Sequence, residues 1–506
     1  MNMMPNKLAQ HNIIELNKLQ NNLKDYLQQA VTKGTPIHEV EKTIFSTVLE
    51  IGKQALHYFF MAQGDGDVGE TVLLETGKEV KRLEKGMRHY QSIFGKFKLE
   101  RYRYGTREGQ KIACISFDER LQLPESDYGF LLQEWSQLLA VEVPFKTTSL
   151  FLEKIFPIKV PVDSLEKINR IQATHVETFR SNKKIDLETE ESILVTSADG
   201  KGVPIRHKKD LSRIEEHKRK RGPKPNRKRM AVVGAVYSVA PFIRTPEQIV
   251  EALFIDPEKT LRNAVPQRPK PKNKKVIAHL TRKVDGEPLN ATVTTFTWIM
   301  SQVKERDAKN IKTHIALMDG QVSLWEELHR QLGEGSLIEI LDLLHVTPRL
   351  WDAANIFFPK DKSAQIIFMK NRVLRVLKGE IKLVISGFRQ MATKQNMEKS
   401  KFKKLEKACC YLEKNLSRMK YHEYLKNGYP IASGVIEGAC RHFVKDRMER
   451  AGMRWSIDGA QAMLDVRSTC LNDDWDEFTT YRIKKETEEL YPNHNIRKKI
   501  DWPLAA

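Results

Sequence analysis

Three segments of the chain set a carboxylate where a hard divalent cation would find oxygen ligands. In ILVTSADG, residues 193 to 200, period-2 alternation puts Ile193, Val195, Ser197 and Asp199 on one strand face, so Asp199 projects beside a packed surface. In HIALMDGQVSLWEELHRQL an apolar strand ends at Asp319-Gly320, and a helix carrying Val322, Leu324, Trp325 and Leu328 begins at once. Strand C-terminal ends are where α/β sheets place their chemistry. In ASGVIEGACRHFVKDRMERAG, Ser433 is an N-cap and Gly452 a stop. On that helix Val435, Ile436, Ala439, Cys440 and Phe443 form one apolar stripe, with Glu437 at its margin beside Arg441. Carboxylate oxygens suit Mg²⁺ or Mn²⁺, and a pair of such ions can drive in-line displacement at a phosphodiester. Each residue also has a plainer reading. Asp-Gly is a common turn dipeptide, and a glutamate four residues before an arginine is a frequent surface pair worth only tenths of a kcal/mol.

The elements that would hold these residues begin at Glu191. From there the runs SILVTSA, MAVVGAVYSV and HIALM, separated by polar turns and helix-like stretches, give an α/β or α+β pattern. Upstream, residues 6 to 62 read as helical, with Ile13, Ile14, Leu16, Leu19 and Leu23, then Val40, Ile44, Val48 and Ile51, at helical spacing. A glycine-rich break covers Gln63 to Gly69. FGKFKLERYRY (94 to 104) and KIACISF (111 to 117) predict a small β-ribbon. Helix-like segments at 127 to 141, 146 to 155 and 164 to 180 outline a helix-turn-helix DNA reader, or equally an ordinary helical hairpin.

A chain of 506 residues is expected to form two to four folding units. With 40% hydrophobic and 30% charged residues it is globular rather than disordered, and no apolar run is long enough to span a bilayer. The polar N-terminus lacks the pattern of a signal peptide, so the expected location is the cytoplasm. Cys114, Cys409, Cys410, Cys440 and Cys470 show neither zinc-ligand spacing nor a disulfide framework and read as reduced thiols. Lys and Arg number 85 against 65 Asp and Glu, an excess of 20 that points to a polyanionic partner, nucleic acid before an anionic membrane. Two stretches concentrate it. Residues 207 to 229 include Arg219, Arg221, Lys224, Arg227, Lys228 and Arg229, and residues 268 to 275 read RPKPKNKK. Both are expected to be flexible loops able to grip phosphates, with Arg221-Gly222-Pro223 hinting at minor-groove insertion.

Taken together, these segments resemble the DDE transposases of bacterial insertion sequences, most closely the ISKra-type family and more loosely the Mutator-type group. The resemblance covers about residues 190 to 480. It is carried by SADGKGVP (197 to 204), ALMDGQVSLW (316 to 325), LDLLH (341 to 345), PIASGVIEGACRHFVKDRMERAGMRWS (430 to 456), GAQAMLDVRS (459 to 468) and Trp475-Asp476. It implies an α+β, multi-domain protein with an RNase H-like mixed sheet flanked by helices. In such a fold the first aspartate lies on the first strand, the second ends the fourth, and the glutamate rides a later helix, positions that Asp199, Asp319 and Glu437 occupy. Asp342 and His345 match a further D-x-x-H feature of these enzymes, although Asp342 could simply cap a helix and His345 could be a satisfied buried imidazole. Asp342 also stands second to Asp319 as a metal ligand.

The domain layout expected on this basis is a helical region at 1–92, the β-ribbon at 93–125 and a helix-turn-helix-like DNA-binding region at 126–185. The catalytic domain occupies 190–358 and 430–480, a lysine-rich helical insertion 359–429, and a tail 481–506. Two Mg²⁺ or Mn²⁺ ions are the expected cofactors, held by Asp199, Asp319 and Glu437. Many family members carry paired cysteines in the N-terminal ribbon; with Cys114 alone there, no zinc is expected. Arg441, Lys445, Arg447 and Arg454 are expected to neutralise phosphates near the scissile bond, and Trp455 to stack on an unpaired base. The implied activity is cleavage of element ends and strand transfer into target DNA, the expected partners are both DNAs, and the assembly is a homodimer or larger. A structure-selective nuclease of the same fold, or a non-catalytic DNA-binding descendant, would share much of this sequence.

Overall fold

The computed structural model describes residues 7–106, 112–156, 158–206, 228–254, 268–332 and 337–492. They fall into two compact units, one formed by residues 1–179 with 475–506, the other by 180–474.

In the first unit, helices Lys7–Lys33 and Ile37–Ala62 form a hairpin, with His57 Nδ1 3.1 Å from Asn12 Oδ1. A four-stranded antiparallel sheet follows: β1 (Thr71–Leu73), β2 (Glu79–Ser92), β3 (Gly95–Gly105) and β4 (Ile112–Cys114). The strands therefore start at Thr71, well before residue 93. The polar sequence EVKRLEKGMRHYQS conceals β2 because half of its residues are exposed while its backbone pairs with nearly the whole of β3. Cys114 is buried beside Val72, Leu74, Val80 and Tyr104. Helices Phe130–Ala140, Phe145–Ile155 and Val162–Thr174 pack on one another around a buried amide pair, in which Asn169 Nδ2 donates to Gln137 Oε1 at 3.0 Å. The outer faces of the first two expose Leu131, Trp135, Leu138, Leu150, Phe151 and Ile155. Their four charges, Glu134, Lys146, Glu153 and Lys154, cancel. The segment read as a helix-turn-helix is thus a pack of three helices whose first two carry no net charge. Residues 475–490 form a helix of this unit that buries Phe478, Arg482 and Glu486, so the second unit ends at Asp474 and no tail begins at 481.

The second unit is a mixed α+β layer structure. Its sheet has the order β11-β10-β5-β6-β7, from β5 (Ile193–Pro204), β6 (Lys228–Val239), β7 (Lys272–Leu280), β10 (Thr313–Met318) and β11 (Ile338–Leu341). A separate hairpin, β8 (Arg282–Val284) and β9 (Glu287–Leu289), follows β7. Strands β5, β6 and β7 are antiparallel; β10 and β11 run parallel to β5. Period-2 alternation divides the core. Ile193, Val195, Ile315, Leu317 and Ile340 face helix Leu343–Phe357 and its neighbours. Leu194, Ala198, Val232, Ala316 and Met318 face helices Ala291–Arg306 and Val322–Leu332. Each Val, Leu, Ile or Met side chain buried on either face contributes about 1.5–3 kcal/mol.

Helices Lys362–Leu377, Ile381–Lys394 and Lys399–Lys414 fill the stretch between β11 and the Glu437 helix and are continuous with this core. Phe368, Val373, Phe388, Leu405 and Leu412 join the cluster that holds Ile193 and Leu317. The basic stretch 268–275 is also less of a loop than expected. From Lys272 it is strand β7, with Lys272 paired to Glu191 at 2.6 Å and Lys275 to Asp474 at 2.7 Å. The open edge of β7 is closed by side chains. Gln461 accepts from Leu280 N–H at 2.7 Å and donates to the Ala278 carbonyl, and Asn472 does the same for Val276. Their amides replace the strand that an edge lacks. No helix among the described residues is long and apolar enough to cross a membrane.

Candidate metal centre

Strand register brings three aspartates to one level. β10 pairs with β5 from Thr313↔Ile193 to Ala316↔Thr196, and with β11 from Ile315↔Ile338 to Met318↔Leu341. Continued past the strand ends, these registers set Asp199, Asp319 and Asp342 in a row at the C-terminal edge. Ser197, whose hydroxyl donates to the Leu317 carbonyl, fastens β5 to β10 just below that edge.

The three carboxylates have different surroundings. Asp199 Oδ1 accepts from Gly200 N–H at 2.6 Å, and Oδ2 accepts from the Cys440 thiol at 3.3 Å. Asp319 Oδ1 accepts from Gln321 N–H at 2.9 Å, while its carbonyl accepts from the Trp325 indole at 2.6 Å. Gly320 is required here because a Cβ would sit 2.6 Å from the Tyr411 ring. Asp342 is 1% exposed and fully engaged: Oδ1 accepts from Leu344 N–H at 2.8 Å, capping helix Leu343–Phe357, and Oδ2 accepts from Ser433 N–H at 3.0 Å.

Glu437 reaches this edge through that last bond. Ser433, held by Asp342, caps the helix that begins at Gly434 by accepting from Ile436 N–H at 3.2 Å. The backbone then widens into a π-helical turn at Ala439–Lys445, ends in a single α turn at Asp446–Met448, and stops at Gly452 with φ +71°. Two carbonyls of the π turn are taken up by buried Arg467, whose Nε donates to Phe443 O at 3.2 Å and whose Nη2 donates to His442 O at 2.9 Å. Such turns are uncommon and concentrate at functional sites. Glu437 Oε1 lies 3.0 Å from His345 Nε2, and His345 sits three residues into the helix that Asp342 caps.

Asp199, His345 and Glu437 therefore offer ligand atoms that all lie within 4.8 Å of one another. Asp319 stands beside this group rather than in it, close enough to feel its charges. Burial is the main cause that raises the Asp319 pKa above the usual value of 3.8; Asp199 and Glu437 add to the rise, and Gln321 N–H and His345 oppose it. A carboxyl crowded by other carboxylates gains from a divalent cation, and one imidazole with several carboxylates is a donor set such a cation accepts.

The basic and aromatic residues named from sequence divide three ways. Arg219, Arg221, Lys224 and Arg227 lie outside the described residues. Lys228 is half-exposed and pairs with Glu449 at 2.9 Å, while Arg229, Arg441, Lys445 and Arg454 are exposed. Arg447 and Trp455 are neither exposed nor free. Arg447 is 0% exposed, its guanidinium 4.9 Å from the Trp455 ring centroid. The Trp455 indole donates to Met448 O at 3.1 Å, and its backbone pairs with Pro204, the last residue of β5, and with Arg206 just beyond it. Their aromatic–cation packing closes the turn behind Glu437, so neither can meet a phosphate or a base.

Cys440 and Lys201 were missed as neighbours of the site. The alternation that selected Asp199 would have reached Lys201 two residues later, and Lys201 acts electrostatically on Cys440. Cys440 looked like core because it lies on the apolar stripe, and it is indeed buried.

Among known proteins, no family model matches the chain and no curated sequence is significantly similar to it.

Proposed function

We propose that this chain is a DDE-type transposase whose second unit is an RNase H-like core that cuts element ends and joins them to target DNA. The observation that carries the reading is the meeting of Asp199, within β5, and Glu437, on a later helix, with Asp319, just past the end of the parallel strand β10, close enough to feel both charges. The strand order supports it as well. Asp199 lies on the first strand of the sheet, Asp319 follows the fourth, and Glu437 rides a later helix, the arrangement that the sequence resemblance implies. The excess of basic residues supports a nucleic-acid substrate.

On this reading Asp199 and Glu437 hold divalent cations with Asp319 beside them. Bound Mg²⁺ or Mn²⁺ supplies the positive charge that activates an attacking oxygen and stabilises a leaving one. His345, its Nε2 3.0 Å from Glu437 Oε1, orients that carboxylate as an ion-pair partner when protonated. Asp342 is a positioning residue, tying the His345 helix and the Glu437 helix to each other. Exposed Arg441 and Lys445, on the Glu437 segment, are placed to meet phosphates flanking the cut.

The test uses the full chain with Mg²⁺ or Mn²⁺ and two DNAs, one with the inverted repeats that flank the coding region and one without. Cleavage at the repeat ends followed by joining of the freed 3′-hydroxyl to a target is expected, with loss of both in Asp199→Ala. Full metal-dependent cleavage by Asp199→Ala overturns the site. Cleavage of the repeat-free DNA without strand transfer overturns the transposase in favour of a structure-selective nuclease.

A further inference from the structure

The basic stretch that begins at Arg268 gives only part of its charge to the sheet. Lys272 and Lys275 enter β7 and pair with Glu191 and Asp474, whereas Arg268 and Lys270, just before the strand, form no ion pair among the described residues. Both line a cavity of about 330 Å³ that borders the segment carrying Glu437, with Gly434 and Val435 in its wall. Arg244 supplies a third cation, and no acidic residue among the described residues lines the space. A guanidinium offers five N–H donors. Arg244 spends Nε on Phe242 O at 3.0 Å and Nη2 on Tyr429 O at 2.6 Å, and Arg268 spends Nη2 on Ala432 O at 3.4 Å. Within the described residues the other donors of both forks have no acceptor. The pKa of Arg244 is lowered to about 10, first by burial and then by the charge of Arg268. Like charges with spare donors are relieved by a bound anion.

The remaining walls are apolar and include Tyr237, Val239, Phe242, Pro269 and Pro430. Small-molecule pockets begin at about 300 Å³ and a water takes only about 30 Å³, so an organic body fits here besides a phosphate. Three cations are better matched by a phosphate monoester, with a charge of about −1.5 to −2 at pH 7, than by a singly charged diester. Aromatic walls suit the flat face of a base.

We propose that this cavity binds a nucleoside 5′-monophosphate group, its phosphate held by Arg244, Arg268 and Lys270 and its ring-bearing body packed against Tyr237 and Phe242. Two sources share that chemistry, a free nucleotide and the 5′-phosphorylated end of a nucleic-acid strand. The site uses none of Asp199, Asp319, His345 and Glu437, and it does not rest on their role as a metal centre.

The experiment titrates the full chain, free of divalent metal and at physiological salt, with adenosine 5′-monophosphate in a calorimeter. One saturable site is expected. Adenosine and inorganic phosphate, each lacking half of the ligand, are expected to bind at least about 10-fold more weakly. Arg268 is exposed and its one bond to the protein is long, so Arg268→Gln is expected to melt with the parent. It is expected to bind the nucleotide about 10- to 100-fold more weakly through loss of charge-assisted hydrogen bonds, and Lys270→Gln about 10-fold more weakly. A parent that binds no nucleotide overturns the proposal. So does unchanged affinity in both variants, or inorganic phosphate bound as tightly as the nucleotide. Short single strands then separate the sources. A strand that displaces the nucleotide only when 5′-phosphorylated assigns the pocket to strand ends, and displacement by neither form assigns it to free nucleotides. Equal displacement by a 5′-hydroxyl strand means that diesters suffice, and the monoester site fails. No readout here uses DNA cleavage, so the transposase reading and this pocket stand or fall separately.

Discussion

Replacing Asp342 is expected to disable the site without removing any atom that touches substrate. The buried carboxylate accepts one N–H from each of the two segments that carry His345 and Glu437, at 2.8 Å from Leu344 and 3.0 Å from Ser433. Asp342→Ala removes an N-cap, worth about 1 kcal/mol. It also leaves the Ser433 N–H buried without an acceptor, which costs about 1–3 kcal/mol more. The total of about 2–4 kcal/mol, at roughly 2 °C per kcal/mol for a unit of this size, lowers the melting temperature by about 4–8 °C. Asp342→Asn keeps a capping oxygen for Leu344 but turns an amide donor toward the Ser433 donor, so it bears only the second cost, about 1–3 kcal/mol. Function suffers more than stability, because both the imidazole and the glutamate lose their anchor. Mn²⁺ affinity is expected to fall about 10- to 100-fold in either variant, measured calorimetrically well below the melting point. An Asp342→Ala protein that melts with the parent and binds Mn²⁺ as tightly would refute the reasoning.

Three further outcomes are expected. Asp319→Asn raises the melting temperature of the metal-free chain at neutral pH. The pKa of Asp319 is raised, so its contribution to stability is complete below the unfolded value near 3.8 and is lost as pH climbs through the folded value. The advantage of Asn must therefore shrink as the buffer is taken below that range, and equal melts at pH 7 would contradict the charge-crowded site. Mn²⁺ at about 100 times its Kd stabilises the parent by about 2.7 kcal/mol, and an Asp199→Ala/Glu437→Gln double variant that shifts equally under differential scanning would place the ion elsewhere. Arg441→Ala and Lys445→Ala each reduce the salt dependence of DNA binding by about 0.9 in log–log slope with little change in melting, whereas Arg447→Ala lowers the melting temperature. If Arg447→Ala instead flattens the salt slope of a fully folded protein, its burial against Trp455 is not the state that binds DNA.

The parts of this fold that could be read in the sequence are those where local pattern and burial coincide. In β5, alternate residues enter two different cores, so ILVTSAD announces both a strand and the face that Asp199 takes. Ser433 and Gly452 bound the Glu437 segment because an N-cap and a positive φ have strong residue preferences. The π turn between them carries no such signal, since its wide hydrogen bonding is supported by Arg467 from another helix. The lysine-rich stretch 359–429 was legible as helical, but its charged faces hid the apolar seam of Phe368, Phe388, Leu405 and Leu412 that joins it to the core of the sheet. Arg447 and Trp455 misled for the opposite reason. Beside a carboxylate, a cation and an aromatic ring suggest a substrate contact, and only tertiary structure reveals that they satisfy each other.

The choice between Asp319 and Asp342 turns on what their oxygens are already doing. Register gives both the same standing, one strand apart at the same sheet edge. Asp342, however, has an N–H on each oxygen and is 1% exposed, so a cation there would have to strip away a helix cap and the anchor of Ser433. Among the described residues the Asp319 carboxyl accepts one hydrogen bond, from Gln321, and both Asp199 and Glu437 press on it, whereas of these two only Glu437 presses on Asp342. The two ends of the D-x-x-H feature consequently do different work. Asp342 holds backbone, and His345, one turn along the helix that Asp342 caps, carries that rigidity to Glu437. An aspartate that builds the site and an aspartate that serves it can share a row of the sheet, and the number of N–H groups already bound separates them.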